Sequence, residues 1–378
     1  MVNVASLVMT IRETLRYRGA IGQWSWVLHR LSGLGVVLFL VLHVIDTSWA
    51  VFFPGLYEEA IASYQSPLFT IGEFILVACV VYHAFNGLRI VIFDFRPDLW
   101  RYQGKAAWYV LGGTVVVLIP VFLGMFSHVL AHYSEEEVFV LSLDKVIAGQ
   151  LPFIAGFVVA IIAALVIGGA WNAVAGGEET TVSAKNSGSK LERFWWSFMR
   201  VSGLLIIPLV FGHLALMHII QGVFDLTLSG ATVAGVATTG AALSNGVLTD
   251  IMSTNMASIL NGLNDTGTAT EFVAERWNFL TGGIAIWRIY DILLLILVAL
   301  HGFNGLRYVL TDYTMKQPLL RKASIALTII GGITLVVVGG SALLTSVEAD
   351  AIHTAQESIC EINPDHADWC VDLGFGSE

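Results

Sequence analysis

The chain has 378 residues, 56% of them hydrophobic and 13% charged, with a formal net charge of -10 at pH 7. Soluble domains carry about 25% charged residues, so a cytosolic enzyme, a nucleic-acid binder and a disordered chain are all excluded. The composition is that of an all-α, polytopic membrane protein.

A bilayer core needs about 20 consecutive, mostly apolar residues in helical form. Seven stretches meet that requirement: residues 26–52, 69–93, 108–130, 152–175, 194–221, 284–310 and 323–345. The first 20 residues carry Arg12, Arg16 and Arg18 with no short apolar core and small-residue cleavage site behind them, so the N-terminus is expected to stay on the mature protein.

Basic residues stay on the cytoplasmic side of a membrane. Arg12, Arg16, Arg18 and Arg30 precede or open span one, and Arg89, Arg96, Arg101 and Lys105 follow span two. Lys185, Lys190, Arg193 and Arg200 precede or open span five, and Arg307, Lys316, Arg321 and Lys322 lie between spans six and seven. Of the 19 basic residues only Lys145, Arg276 and Arg288 fall on the other side. The topology read from this is N-inside and C-outside.

The opposite loops are acidic, as in residues 134–137 and the tail 349–378, so the net charge hides a basic inner face and an acidic outer one. The tail holds Cys360 and Cys370, which an oxidising outer surface would allow to form a disulfide. Cys79, in the middle of span two, reads as a small buried hydrophobe.

Compared with itself, the chain repeats. Trp26, Arg30, Ser32, Gly33 and His43 of span one recur 170 positions on as Trp196, Arg200, Ser202, Gly203 and His213. His83, Phe85 to Arg89 and Asp94 of span two recur 218 positions on as His301, Phe303 to Arg307 and Asp312. The different offsets reflect a polar outer insertion, residues 225–283.

The organisation this predicts is a tandem three-helix repeat plus one linking helix. Residues 1–148 form the first repeat, 149–192 the linking span and an inner Gly/Ser/Lys linker, and 193–348 the second repeat, followed by the tail. Three spans are odd, so a second copy in the same orientation needs the extra crossing that span four supplies.

Four of the ten histidines lie deep in spans at repeat-equivalent positions: His43, His83, His213 and His301. Polar groups inside a membrane are costly and mark function, and helical bundles build cofactor sites from facing side chains. Paired axial histidines suit low-spin b haems for electron transfer. His43 is 13 residues beyond Arg30, about 20 Å, and His83 is 11 residues before Asp94, about 16 Å.

Depth alone does not assign the pairs. A pseudo-twofold relation between the repeats does, joining His83 with His301 for an inner haem and His43 with His213 for an outer one. Gly87 and Gly305, one turn beyond their histidines, either admit a flat macrocycle or serve ordinary small-residue packing. Ser32 and Ser202 share faces with His43 and His213, and Asp94 and Asp312 lie below His83 and His301. His128, His132 and His218 read as interface histidines, and His353 and His366 are given no role.

These half-motifs resemble the membrane-anchor cytochrome b of succinate:quinone oxidoreductases and quinol:fumarate reductases, respiratory complex II. Leu28 to Gly33 with Tyr82 to Phe95 resembles the larger anchor subunit, and Arg200 to Gly203 with His301 to Tyr313 the smaller. The chain thus looks like a fusion of the two. The resemblance implies two b-type haems held by His43, His83, His213 and His301. Ile90 departs from single-haem relatives, which often carry histidine there.

It also implies a quinone, menaquinone rather than ubiquinone, near the inner surface at Arg30, Asp312 and Tyr313, with a serine. Ser25 stands five residues before Arg30 where the family has four, so Ser25 or Ser32 fills that place. The implied partners are an FAD flavoprotein and an iron-sulfur subunit on the basic face, within a bacterial cytoplasmic membrane, in a complex open to higher oligomers. The dicarboxylate chemistry falls to those partners. Two rival classes are a dihaem anchor of another quinone-linked oxidoreductase and a repeat-built transporter.

Overall fold

The computed structural model describes residues 19–64, 67–132, 143–175, 190–214, 268–277, 284–364 and 368–375. His218, the acidic residues 134–137, the linker 176–189 and most of the outer insertion lie outside the described residues. Seven helices are long and apolar enough to cross a membrane, and every longer regular element among the described residues is helical. The chain is an all-α polytopic membrane bundle.

The spans are α1 (Ile21–Phe52), α3 (Pro67–Phe95), α4 (Gln103–His132), α6 (Leu151–Ala175), α7 (Lys190–Leu214), α9 (Ile286–Thr314) and α10 (Pro318–Leu344). Prolines mark several boundaries, where the missing N–H costs nothing. Pro54 opens the helix that follows α1, Pro97 opens a 3-10 turn (Pro97–Tyr102) after α3, and Pro318 sits in the first turn of α10. Apolar side chains such as Val116 and Val159 face outward, as a lipid solvent allows.

Within each half the middle helix carries the packing: α3 lies against α1 and α4, and α9 against α7 and α10. Across the halves α1 meets α9 and α10, and α3 meets α7. Small residues set the closest approaches, as is usual where lipid removes the hydrophobic drive between helices. A Cβ on Gly339 of α10 would stand 2.6 Å from Val44 and 2.8 Å from Leu295, so α10 wedges between α1 and α9. Gly35 meets the Cys79 sulfur in the same way.

The linking span α6 packs on α10. Gly168 would bring a Cβ to 2.6 Å from the Ala323 backbone nitrogen, and Lys322 Nζ donates to Asn172 Oδ1 at 3.1 Å.

The end of the bundle opposite the basic loops carries a cap that hydropathy does not announce. It is built from α2 (Pro54–Tyr64), α8 (Ala269–Trp277) and α11 (Ala349–Ile362), with α5 (Leu143–Gly149) beside them. Their apolar residues join Val44, Leu295, Leu335 and Leu343 in the main buried cluster.

The Glu58 carboxylate, 3% exposed, accepts from the N–H groups of Ala269 at 3.1 Å and Thr270 at 2.8 Å, and from the Thr270 hydroxyl at 2.8 Å. It thereby satisfies the open N-terminus of α8 from another helix. Arg288 ties the cap to the spans by donating to the carbonyls of Trp277, Leu343 and Thr345. A Cys360–Cys370 disulfide joins α11 to α12 (Trp369–Asp372), and Ser358 Oγ donates to the Gly55 carbonyl at 3.1 Å.

Candidate functional site

His83 projects from α3 onto α1, and His301 projects from α9 onto α7. Each ring lies over the glycine of the repeated Arg-x-Ser-Gly motif. A Cβ on Gly33 would meet His83 Cε1 at 2.9 Å, and one on Gly203 would meet His301 Cε1 at 3.2 Å. Gly87 and Gly305 are less crowded, with nearest neighbours at 3.7 Å. The glycines that chain contacts demand are therefore Gly33 and Gly203.

The serine of the same motif fixes the ring. Ser202 Oγ donates to the Phe198 carbonyl at 2.6 Å, which leaves its lone pair to accept from His301 Nδ1 at 2.8 Å. Ser32 Oγ likewise donates to the His29 carbonyl at 3.1 Å and lies 3.3 Å from His83 Nδ1, which also faces that carbonyl at 3.1 Å. A carbonyl only accepts, so Nδ1 carries the proton and Nε2 keeps the lone pair that a metal needs. Ser32 and Ser202 share a face with His43 and His213 by helical period, yet their bonds go to His83 and His301 on the neighbouring helix.

His43 and His213 meet edge to face, with ring centroids 6.2 Å apart and planes at 82°. His213 Nδ1 lies 2.9 Å from Asp291 Oδ1, which again places the proton on Nδ1. Phe39 stacks on His43 at 5.2 Å. Near this end of the bundle the Tyr64 hydroxyl donates to Asp46 Oδ2.

The charged residues pair crosswise between the halves. Arg30 of α1 pairs with Asp312 of α9, and Arg200 of α7 with Asp94 of α3, the latter at 2.8 Å. Each arginine also lies over the tryptophan one turn before it, Trp26 or Trp196, at 3.9 Å.

Of the sequence-derived quinone set, the structure brings Arg30 and Asp312 together, with Tyr313 next in sequence and 76% exposed. Ser25 is hydrogen-bonded to other residues. Its hydroxyl donates to Asn86 Oδ1 at 2.7 Å and accepts from Arg89 Nη2 at 3.0 Å and the Tyr82 hydroxyl at 3.2 Å.

The sequence assigns no role to His29, which stacks on His83 at 4.1 Å with planes 6° apart. It assigns none to Asp291, Asn86 or Asn304 either. The asparagines had a signal, since both stand inside the repeated His-x-Phe-Asn-Gly-Leu-Arg motif.

Four buried side-chain atoms have no hydrogen-bond partner among the described residues: His29 Nδ1, Asn86 Nδ2, Asn304 Nδ2 and Asp46 Oδ1. Three of the four belong to the neighbourhood of His83 and His301. Orphaned donors there, with two oriented imidazoles over glycine, fit a group that contributes both a metal and acceptor atoms, as a haem does.

An all-helical bundle with four repeat-equivalent histidines inside its spans and crosswise ion pairs between its halves defines a polytopic membrane subunit. Residues 11–121 match the succinate dehydrogenase/fumarate reductase transmembrane subunit family. The chain is 35% identical over 117 residues to the succinate dehydrogenase 2 membrane subunit SdhC of Mycobacterium tuberculosis, across 31% of this chain and 86% of that protein. It is 31% identical over 106 residues to the succinate dehydrogenase hydrophobic membrane anchor subunit of Halobacterium salinarum, across 27% of this chain and 81% of that protein. No solved structure matches it. The chain belongs to this family, the membrane anchor subunits of complex II.

Proposed function

We propose that this chain is the dihaem anchor of a succinate:quinone oxidoreductase, with both anchor subunits fused into one polypeptide. The family match ends at residue 121, inside the first three spans, while the Arg, Ser, Gly, His and Asp positions recur in the second half. A chain carrying both copies supplies both sides of a two-helix haem site. The observation that carries the reading is the pairing of Ser32 with His83 and of Ser202 with His301, each directing an Nε2 lone pair away from the serine helix.

His83 and His301 would then hold the inner haem, and His43 with His213 the outer one. When bound, the two b haems supply one-electron carriage across the membrane. The chain's residues hold and tune that carriage. Ser32, Ser202 and Asp291 keep the proton on Nδ1, which strengthens each imidazole as a ligand. Gly33 and Gly203 give two of the rings their place.

The quinone lies at the basic end, where Arg30 polarises a carbonyl oxygen and Asp312 and Tyr313 deliver protons. Ser25, whose hydroxyl is held by Asn86, Arg89 and Tyr82, is the serine of that quinone set. The basic loops face the cytoplasm of a bacterial cell and receive an iron-sulfur subunit bearing the flavoprotein, while the disulfide-linked tail lies outside. Menaquinone is the quinone that a dihaem anchor favours.

Two measurements test this reading. Pyridine haemochrome assay of the purified complex should give two b haems per chain, and a flavoprotein and an iron-sulfur subunit should co-purify. His83→Ala or His301→Ala should remove the inner haem and leave the outer one; retention of both haem spectra in either variant overturns the assignment.

A further inference from the structure

Asn86 and Asn304 occupy equivalent places in the two halves, three residues beyond His83 and His301 and three before Arg89 and Arg307. Asn86 is fully buried and Asn304 is 7% exposed. In both, the arginine settles which way the amide points. Arg89 Nε donates to Asn86 Oδ1 at 2.9 Å, and Arg307 Nε donates to Asn304 Oδ1 at 3.0 Å. A guanidinium only donates, so the atom it meets is the amide oxygen. Ser25 Oγ donates to the same oxygen of Asn86 at 2.7 Å. The Nδ2 groups are thereby turned away from these partners, and both lack an acceptor among the described residues.

An unsatisfied buried donor is costly, and two at matched positions in one bundle point to a shared acceptor. Three residues along a helix rise about 4.5 Å, so each amide stands one turn from its histidine on the side of the basic end, with a guanidinium one turn further. A haem b has two acceptor groups, the carboxylates on one edge of its macrocycle. Their number equals that of the orphaned amides, and an anion buried in a bundle requires donors of this kind.

We propose that Asn86 and Asn304 each donate a hydrogen bond from Nδ2 to one carboxylate of the inner haem, turning that edge toward Arg89 and Arg307. This rests on His83 and His301 being the inner-haem ligands. The two asparagines are positioning residues: they hold the macrocycle and moderate the negative charge near the iron.

The test uses the whole purified complex with Asn86→Asp, Asn304→Asp, Asn86→Leu and Asn304→Leu, read by potentiometric titration and redox-induced infrared difference spectra. Asp keeps the acceptor for Arg89 or Arg307 and removes the donor, so it decides the matter if a Leu variant fails to assemble. Losing the donor leaves more negative charge at the carboxylate and favours ferric iron. At fixed ambient potential the ferrous-to-ferric ratio of the inner haem should fall by up to about tenfold, which is 59 mV for one electron. The fall should be larger for Asp than for Leu, with the outer haem unmoved and the haem carboxylate stretching bands shifted.

An inner haem present with unchanged potential and unchanged carboxylate bands in the variants at either position overturns the proposal. So does a change confined to quinone KM, which would assign the amides to the quinone. Absence of an inner haem from the wild-type complex, or its survival in His83→Ala, defeats instead the ligand assignment beneath it.

Discussion

Arg200 of α7 grips Asp94 of α3 at 2.8 Å, and the equivalent residues make the reverse pair, Arg30 of α1 with Asp312 of α9. Each half thus contributes one arginine and one carboxylate to the other, the isologous pattern of a twofold dimer within a single chain. The two pairs differ in exposure: Asp94 is 17% exposed and Asp312 is 48%. That contrast separates a structural pair from one open to a ligand.

Asp94→Asn should therefore cost stability and spare the reaction. Removing one partner of a largely buried ion pair costs on the order of 1–3 kcal/mol, and the charge-swapped double variant Asp94→Arg with Arg200→Asp should recover most of it. Asp312→Asn should leave thermal unfolding nearly unchanged, because an exposed pair contributes about 1 kcal/mol or less, while quinone reductase activity falls. Equal loss of activity in both single variants would contradict the assignment of quinone chemistry to the Arg30 side.

Ser202→Ala tests how the fold would tune the inner haem proposed on His83 and His301. With the serine gone His301 Nδ1 loses its 2.8 Å acceptor, the imidazole becomes a weaker donor to iron, and ferric iron is less favoured. The inner-haem midpoint should rise with both haems retained. Ser32→Ala should shift it less, because the His29 carbonyl at 3.1 Å remains for His83 Nδ1. Potentiometric titration at the haem α-band measures both, and a fall in midpoint for Ser202→Ala would rule out this role.

The spans were legible from sequence because lipid imposes one simple demand, a run of apolar residues long enough to cross it. The repeat was legible because its motif residues keep strict spacing within each helix. The serine–histidine bonds were not, because helical period reports which residues share a face and says nothing of which neighbour that face meets. Ser32 lies on His43's face and bonds to His83. The cap was hidden for a related reason: α2, α8 and α11 are short and mixed in composition, and Glu58 finds its partners more than 200 residues away.

Gly33→Ala should be far more damaging than an alanine elsewhere in α1. Its Cβ would lie 2.9 Å from His83 Cε1 and 3.2 Å from Nδ1, so the ring must move and its bonds to Ser32 and the His29 carbonyl must stretch. Gly203→Ala, with its nearest contact at 3.2 Å, should act in the same direction and more mildly. The haem-to-protein ratio and the inner-haem α-band check this. Gly72→Ala in α3, where nothing stands within 4 Å, is the control that should retain the full haem complement.

The cap should respond to pH through Glu58. Burial pushes its carboxyl above the ordinary 4.5, partly opposed by the bonds from Thr270 and Ala269. An acid whose folded value exceeds its unfolded one binds more protons when folded, so its contribution to stability is full below 4.5 and is lost as pH rises through the raised value. Docking of α8 on α2 should loosen over that interval, seen as rising amide hydrogen exchange at residues 269–277 relative to the spans. Glu58→Gln keeps an acceptor for the α8 N-terminus and removes the titration, so its exchange profile, corrected for intrinsic rates, should be flat with pH. An unaltered pH dependence in that variant would show that another group governs the cap.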